Sequence, residues 1–390
     1  MHPNDLRSVV DHVLPAAIET RRHLHRFPEI GHQEFATTGY LASVLELAGL
    51  EPRLRTPGTG LSVNVGFGSP SVAFRADIDA LPVHEQTGLS FASERAGLMH
   101  ACGHDAHTGV AVGIALALSR LDIEGSVRFV FQHAEEQFPG GAQELVDEGI
   151  LEGVERIIAF HVDPSLRAGK IGLRAGPITA SSDQLSIDVE GPGGHTARPH
   201  LSVDTTYAAG LIVTQLPALL NRFTDPRAPL VLVFGSIQGG AAANVIPPRV
   251  ELRGTARTLD ADLWDRLPKL VDQLVHEIVA PTGATVAVHY EKGIAPVVND
   301  EQTVAEARFA IGHLLGPLAT GATPPSMGAE DFSAFLQAVP GAMLRLGVGD
   351  GLDHTDLHSA RFNIDEAAIE TGILAGAATL LTMLGCDWDD

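Results

Sequence analysis

Cysteine is nearly absent from this 390-residue chain: only Cys102 and Cys386 occur. Two thiols cannot build a disulfide framework, so each needs an explanation in chemistry or packing. Long apolar runs are also missing. The longest nearly apolar stretches, 109–118 and 373–384, fall short of the roughly 18 residues a membrane-spanning helix requires, so no part of the chain is expected to cross a bilayer. Positive charge is scarce, with 26 Lys and Arg against 48 Asp and Glu and a net charge of −22. No stretch gathers Lys or Arg into a stripe able to neutralise phosphates, which excludes nucleic acid and anionic membranes as natural partners. The acidity is diffuse and reads as solubility. At the N-terminus, Asp5, Asp11 and Glu19 stand where a secretory signal needs its apolar segment, which leads to the expectation of a cytoplasmic protein. Low-complexity tracts and internal repeats are lacking, since 41 Gly and 24 Pro are spread among 45% apolar and 19% charged residues. That profile is globular, with room for one enlarged domain or two modest ones. Two enzyme signatures fail: GFGSPS lacks the third glycine and the following helix of a dinucleotide fingerprint, and no G-x-S-x-G elbow occurs.

Apolar spacing from Leu6 through Val9, Val13 and Ile18 to Leu24 predicts an amphipathic helix ending before Pro28. Strands are expected at 61–65 and 72–74, then a small-residue helix over 109–121, a strand 127–131, a helix 141–149 and a strand 156–160. This alternation predicts an α/β layer with a substantially parallel sheet, whose ligands sit at the carboxyl ends of strands. From residue 182 the rhythm becomes strand 184–189, helix 203–220, strands 230–237 and 249–255, helix 261–280 and strand 285–290. The β-α-β-β-α-β order is that of a ferredoxin-like sandwich of about 110 residues. α/β character then returns with a helix near 304–315, a strand 342–346 and a final helix 365–384 capped by Asn363 or Asp365. The expected organisation is a catalytic domain in two parts, 1–181 and 294–390, interrupted by an inserted domain, 182–293.

The densest chemistry lies in MHACGHDAHTG, where His100, Cys102, His104, Asp105 and His107 occupy eight positions ahead of a buried helix. Cys102 and His104, two apart, can face one ion, and thiolate with imidazole suits zinc, cobalt, nickel or manganese. The competing reading is a polar loop whose histidines bond the helix N-terminus. The strand 127–131 runs into QHAEEQ, placing Glu135 and Glu136 past its carboxyl end. Adjacent carboxylates point to different sides, so one can bind metal while the other moves protons, as metal-assisted amide hydrolysis requires; a solvated acidic turn is the alternative. His161 follows the next strand, and His358 precedes the last helix. FRADIDALPV offers Asp77 as an acceptor for a metal-binding histidine, with Arg75 as its partner, or a plain structural salt bridge. In the inserted segment, GPGGHTARPH and GGAAANVIP present His195 and Asn244 on glycine-rich loops that turn chemistry alone could also explain.

Taken in order, RRHLHRFPEIGHQEF, FRADIDALPV, MHACGHDAHTG, AEEQFPGGA, AFHVDPSLRAGKIG, GPGGHTARPH, AANVIP, RGTARTL, MGAEDFSAFL and LHSARFNIDE resemble the metal-dependent amidohydrolase family of hippurate hydrolases, N-acyl-amino-acid amidohydrolases and auxin-conjugate hydrolases, related to aminoacylase and carboxypeptidase G. The resemblance covers nearly the whole chain. It implies a zinc-exopeptidase-type mixed-sheet catalytic domain with an inserted lid that often mediates dimerisation, hence a homodimer or higher homo-oligomer. It also implies one or two divalent ions held by Cys102, His104, Glu136, His161 and His358, with Glu135 as general base and then acid. His195 and Asn244, and more weakly Arg257, match groups that steady the substrate; Asp77 stands behind the ligands. The implied reaction is hydrolysis of the amide bond of a small N-acyl amino acid. An aminopeptidase or dipeptidase of the same architecture, or a non-catalytic metal-binding relative, is the alternative. Where family members carry GGGGA after the paired glutamates, this chain has EEQFPGGA, so Phe138 and Pro139 reshape that loop.

Overall fold

The structure is a computed structural model and describes residues 2–350 and 355–388. The chain divides into two compact units, each with its own apolar core. The first comprises the chain up to Gly176, Val298–Pro324 and the chain from Ala334 onward; the second comprises Pro177–Val297 and Pro325–Ser333.

An eight-stranded sheet runs through the first unit. From one edge its strands are Arg53–Leu54, Leu61–Gly66, Ser126–Gln132, Val72–Asp77, Arg156–Arg167, Gly341–Gly349, Ile171–Leu173 and Thr320–Ala322. The centre is parallel, Val72–Asp77 lying between Ser126–Gln132 and Arg156–Arg167, with Gly341–Gly349 next. The flanks are not. Leu61–Gly66 runs antiparallel to Ser126–Gln132, and Ile171–Leu173 antiparallel to Gly341–Gly349, which makes the mixed sheet that the family resemblance implies, around the parallel centre expected from the strand–helix alternation.

Helix His104–Leu118 has all fifteen residues buried. It is packed between the N-terminal helix Pro3–Arg26 and the C-terminal helix Ala367–Met383, as expected of a helix with no polar face to give to water. It starts five residues earlier than the apolar run predicts, because His104, Asp105, His107 and Thr108 are buried on partners and not solvated. At the last helix Glu366 occupies the N-cap position without a side-chain bond; of the two expected caps, Asp365 Oδ1 accepts the N–H of the first helical residue, Ala367, while Asn363 accepts from Arg21.

In the second unit, strands Ser182–Glu190, Leu230–Gln238, Arg249–Thr258 and Thr285–Ile294 form one antiparallel sheet. Numbered along the chain, their spatial order is 2-3-1-4, the ferredoxin-like arrangement. Helices Thr205–Phe223 and Ala261–Val279 face it and bury Ile212, Leu216, Leu267, Val271 and Leu274 against Ile187, Val189 and Leu252. Asp204 and Asp260 cap these helices, each accepting a backbone N–H from three residues on. Among the described residues no helix is long and apolar enough to cross a membrane.

The central pairing of the first unit yields a stability prediction. A Cβ on Gly341 would lie 2.0 Å from the carbonyl oxygen of Ile157, a backbone atom fixed in the ladder. Gly341→Ala is therefore expected to destabilise the protein by about 1–3 kcal/mol or more, read as a lowered denaturation midpoint, whereas Gly210→Ala, with nothing near its added carbon, is expected to leave the midpoint unchanged or raise it.

Candidate metal centre

The polar cluster gathers at the carboxyl ends of the parallel strands of the first unit. Asp77 closes one strand, Gln132 its neighbour, and His161 lies within the third. That third strand continues to Arg167, so His161 is held inside a ladder and not at a strand mouth as expected. Gly103, at φ 84°, turns the chain sharply between Cys102 and His104, and a Cβ there would strike Val162 at 2.5 Å. This turn sets Cys102 beneath the helix and His104 on its first residue.

Hydrogen bonds fix which ring nitrogens face the centre. The Nδ1–H of His104 donates to the Asp79 carbonyl at 2.9 Å, and that of His161 to the Val162 carbonyl at 2.8 Å. In the neutral rings each Nε2 then carries the lone pair, the second-shell arrangement that metal-binding imidazoles require. His104 Nε2 is buried with no hydrogen-bond partner, and it lies 3.8 Å from Glu135 Oε2 and 3.9 Å from Glu136 Oε1. His358 Nε2 is 3.3 Å from Cys102 Sγ and 3.2 Å from Glu136 Oε1, and His161 Nε2 is 3.7 Å from the same sulfur. Cys102, His104 and Glu136 each offer a donor atom within 4.8 Å of the others. The five residues expected as ligands thus meet around one sulfur, with Glu135 beside them. Thiolate, imidazole and carboxylate around an orphaned nitrogen suit a borderline divalent ion.

Packed this closely, the donors shift one another's protonation. Contact with Cys102, and with Glu136 behind it, pushes His358 up to about 10 despite partial burial. Burial pushes the Cys102 thiol up, against the pull of His104 and His358, and burial with the nearby Arg345 holds His161 well below the usual histidine range. For His104, burial works against protonation, but the Asp77 carboxylate and the Asp79 contact outweigh it.

His107, part of the dense histidine loop, does not join the donors. Val162 N–H donates to its Nε2 at 2.9 Å, which leaves the ring proton on Nδ1 to donate to Asp77 Oδ1 at 2.7 Å. Asp77 also takes Arg75 Nη1 at 2.7 Å, while Arg75 Nε reaches Gln132. The sequence reading gave Asp79 no role, yet its carbonyl orients His104 and its Oδ2 accepts Glu136 N–H at 2.9 Å. The available signal was its two-residue offset from Asp77. Asp105, one of the five polar residues of the dense loop, is buried against Arg21 Nε at 3.1 Å and His25 Nδ1 at 2.9 Å, partners that its spacing did not indicate.

In the second unit the structure brings His195 and Asn244 together. Gly194–His195 pairs with Val245–Ile246, and Thr196 N–H donates to the Asn244 carbonyl at 3.3 Å. Ala197 N–H donates to His195 Nδ1 at 3.0 Å, so the neutral ring carries its proton on Nε2, a donor on an exposed side chain. Arg257 stands apart on the strand Arg249–Thr258, with Nη1 donating to the Met327 carbonyl at 3.0 Å.

The buried His25 pair makes stability depend on pH. Burial opposes its charge, but Asp105, and Glu85 at 3.2 Å on the other nitrogen, push it up to about 9. A histidine raised from its unfolded value of about 6.5 contributes stability that is complete below that pH and lost as pH climbs through 9. The denaturation midpoint of His25→Gln is accordingly expected to fall furthest below wild type at pH 6 and to close much of that gap by pH 9.5.

The sequence model of peptidase family M20/M25/M40 matches residues 73–382. An N-acyl-L-amino acid amidohydrolase of Geobacillus stearothermophilus is 39% identical over 77% of this chain and 83% of its own length, and an N-acetyl-L-cysteine deacetylase of Bacillus subtilis is 35% identical over 94% and 89%. A Rhodococcus jostii relative provisionally assigned as a glutamate–cysteine ligase is 43% identical over 91% of the chain, but the chain spans only 45% of it, and nothing of ligase chemistry carries over. Among solved structures, the Bacillus subtilis YXEP protein, described as a dinuclear metal-binding peptidase of the M20 family, superimposes with a TM-score of 0.84 at 32% identity over 97% of this chain and all of that one. The chain belongs to peptidase family M20/M25/M40.

Proposed function

We propose that this protein, a hydrolase of amide bonds by family, cleaves small N-acyl amino acids, with one or two divalent ions held by Cys102, His104, Glu136, His161 and His358. The observation that carries the reading is the unpartnered, buried Nε2 of His104 facing Glu135 and Glu136 beside a sulfur that two more imidazoles approach. When bound, the ion supplies Lewis acidity, polarising the scissile carbonyl and lowering the pKa of an attacking water. Glu135 takes the proton from that water and returns it to the departing amine. It is set for this by a location inside the cluster that is shielded from bulk solvent without being sealed. Asp77 holds His107 and Arg75 in place behind the ligands. His195 donates through Nε2–H to the carbonyl oxygen as it gains charge, and Asn244, which precedes the strand paired with His195, together with Arg257, takes the carboxylate side of the substrate. The insertion 182–293 serves as the lid that presents these groups, and the working form is a homodimer.

Support for an acyl amino acid as substrate comes from relatives named for deacetylation and N-acyl cleavage. A screen of N-acetyl, N-benzoyl and indole-acetyl amino acids against free-amine dipeptides tests it: release of amino acid from the acyl series, abolished by a chelator, is expected, and turnover of dipeptides alone would replace this substrate class with a peptidase one. Glu135→Gln is expected to retain metal and lower turnover by about 10²- to 10⁴-fold, measured on protein of known metal content. Near-normal turnover would remove Glu135 from its role. Metal uptake must also displace the proton that Cys102 and Glu136 hold on His358 up to about pH 10. Apparent affinity, measured by competition with a chromogenic chelator, is therefore expected to strengthen with each unit of pH between 6 and 9. Flat affinity across that range would argue against His358 as a ligand.

A further inference from the structure

The turn that carries Glu135 and Glu136 has a backbone that its own sequence does not favour. Ala134, fully buried, sits at φ 50°, in the left-handed region that residues with a Cβ rarely enter. Such a conformation persists only where the surroundings hold it. What holds it comes from residues 31–34, within the RRHLHRFPEIGHQEF motif. The function has given this segment no part, and it lies outside the residues matched by the family.

Glu34 is sealed from solvent. One carboxylate oxygen accepts the Ala134 N–H at 2.8 Å, and the other accepts the Thr59 hydroxyl at 2.6 Å. Gly31 presses on the same turn: a Cβ there would lie 3.0 Å from both Cα and Cβ of Ala134 and from the Gln137 side chain. The Gln137 amide in turn donates to the Gly31 carbonyl at 3.1 Å. On the far side of the glutamate pair, Glu136 N–H is held by Asp79 at 2.9 Å. The two peptide N–H groups that bracket Glu135 are thus each fixed by a buried carboxylate from another segment. Burying a carboxylate is a costly way to fill space. What it supplies that an apolar side chain cannot is a fixed acceptor for the Ala134 N–H.

We propose that Glu34 is a positioning residue for catalysis, holding Ala134 in its left-handed turn so that the Glu135 carboxylate points at the reacting water. The inference rests on the reading of Glu135 as general base. It separates geometry from charge, because glutamine can still accept the Ala134 N–H, aspartate keeps the charge but is one methylene too short, and alanine offers nothing.

The test compares Glu34→Gln, Glu34→Asp and Glu34→Ala as metal-loaded enzymes on an N-acetyl amino acid, with kcat, KM, metal content and the acid limb of the kcat–pH profile measured for each, beside Glu135→Gln. Misplacing a reacting group by about 1 Å costs on the order of 100-fold. Glu34→Ala and Glu34→Asp are therefore expected to lose roughly 10- to 100-fold in kcat with KM and metal content near wild type and the acid limb displaced, while Glu34→Gln keeps most of its kcat and an unmoved limb. Should Glu34→Ala fail to fold, the contrast between Glu34→Asp and Glu34→Gln decides. Wild-type kcat in Glu34→Asp, or loss of metal in proportion to activity, would overturn the positioning role while Glu135→Gln remains inactive. An active Glu135→Gln would overturn the general-base reading itself, and this inference with it.

Discussion

The Asp77 carboxylate, sealed from solvent at the end of a central strand, is the constraint around which the catalytic face is arranged. An ionised carboxylate at that depth costs several kcal/mol unless it is fully paired. The protein pairs it from two directions: Arg75 from its own strand and His107 from the buried helix. Each partner ties in a further element. Arg75 reaches Gln132 on the neighbouring strand, His107 accepts from Val162 on the third, and Thr108 donates its hydroxyl to the Asp77 carbonyl at 2.8 Å. Satisfying one charge therefore joins three strands and a helix. Burial would raise Asp77, but the two histidines and Arg75 outweigh it and hold the carboxyl well below its usual range.

A second constraint is conformational. Among the described residues three that are not glycine adopt left-handed backbone, His32, Ala134 and His358. Ala134 precedes the glutamate pair, His358 is a candidate ligand, and His32 lies in the segment that braces Ala134. Each costs about 1–2 kcal/mol relative to ordinary backbone, and each is tied down: His358 N–H donates to the Ala101 carbonyl at 2.8 Å, one residue from Cys102. The strain is offset by a core in which the helices His104–Leu118 and Ala367–Met383 pack at glycines. A Cβ on Gly113 or Gly376 would meet Ile373 or Ile114 at 2.4 Å, so this interface leaves no slack through which the site could relax.

How much of this was legible beforehand follows from the range of each interaction. Five donor residues within eight positions announce themselves, and so does a glutamate pair just past a β-branched and aromatic strand, because both signals are local. The β-α-β-β-α-β rhythm of the second unit was readable for the same reason: its helices keep clean apolar stripes and aspartate caps. Interactions that join distant segments were not readable. Asp105 draws on Arg21 and His25, and Asp79 acts on Glu136, pairings no spacing rule contains. Polar residues at the start of the buried helix read as loop because periodicity treats His104, Asp105 and His107 as solvated. The helix Phe35–Leu47 was missed because its apolar residues are not confined to one stripe.

These threads meet in the N-terminal segment. Arg21 and His25 close on Asp105, the residue after His104, and Glu34 closes on Ala134, the residue before Glu135. One stretch of fourteen positions therefore grips both halves of the candidate centre, each time beside the functional residue and never on it. That distinction matters physically. A partner bonded directly to a ligand competes with the ion for its lone pair, whereas a partner bonded to the neighbouring side chain or peptide restricts orientation and leaves the donor atom available. His104 Nε2 shows the result: its ring is fixed through Nδ1 and its helix turn through Asp105, and the nitrogen that faces the centre is the one atom of that side chain left without a hydrogen-bond partner.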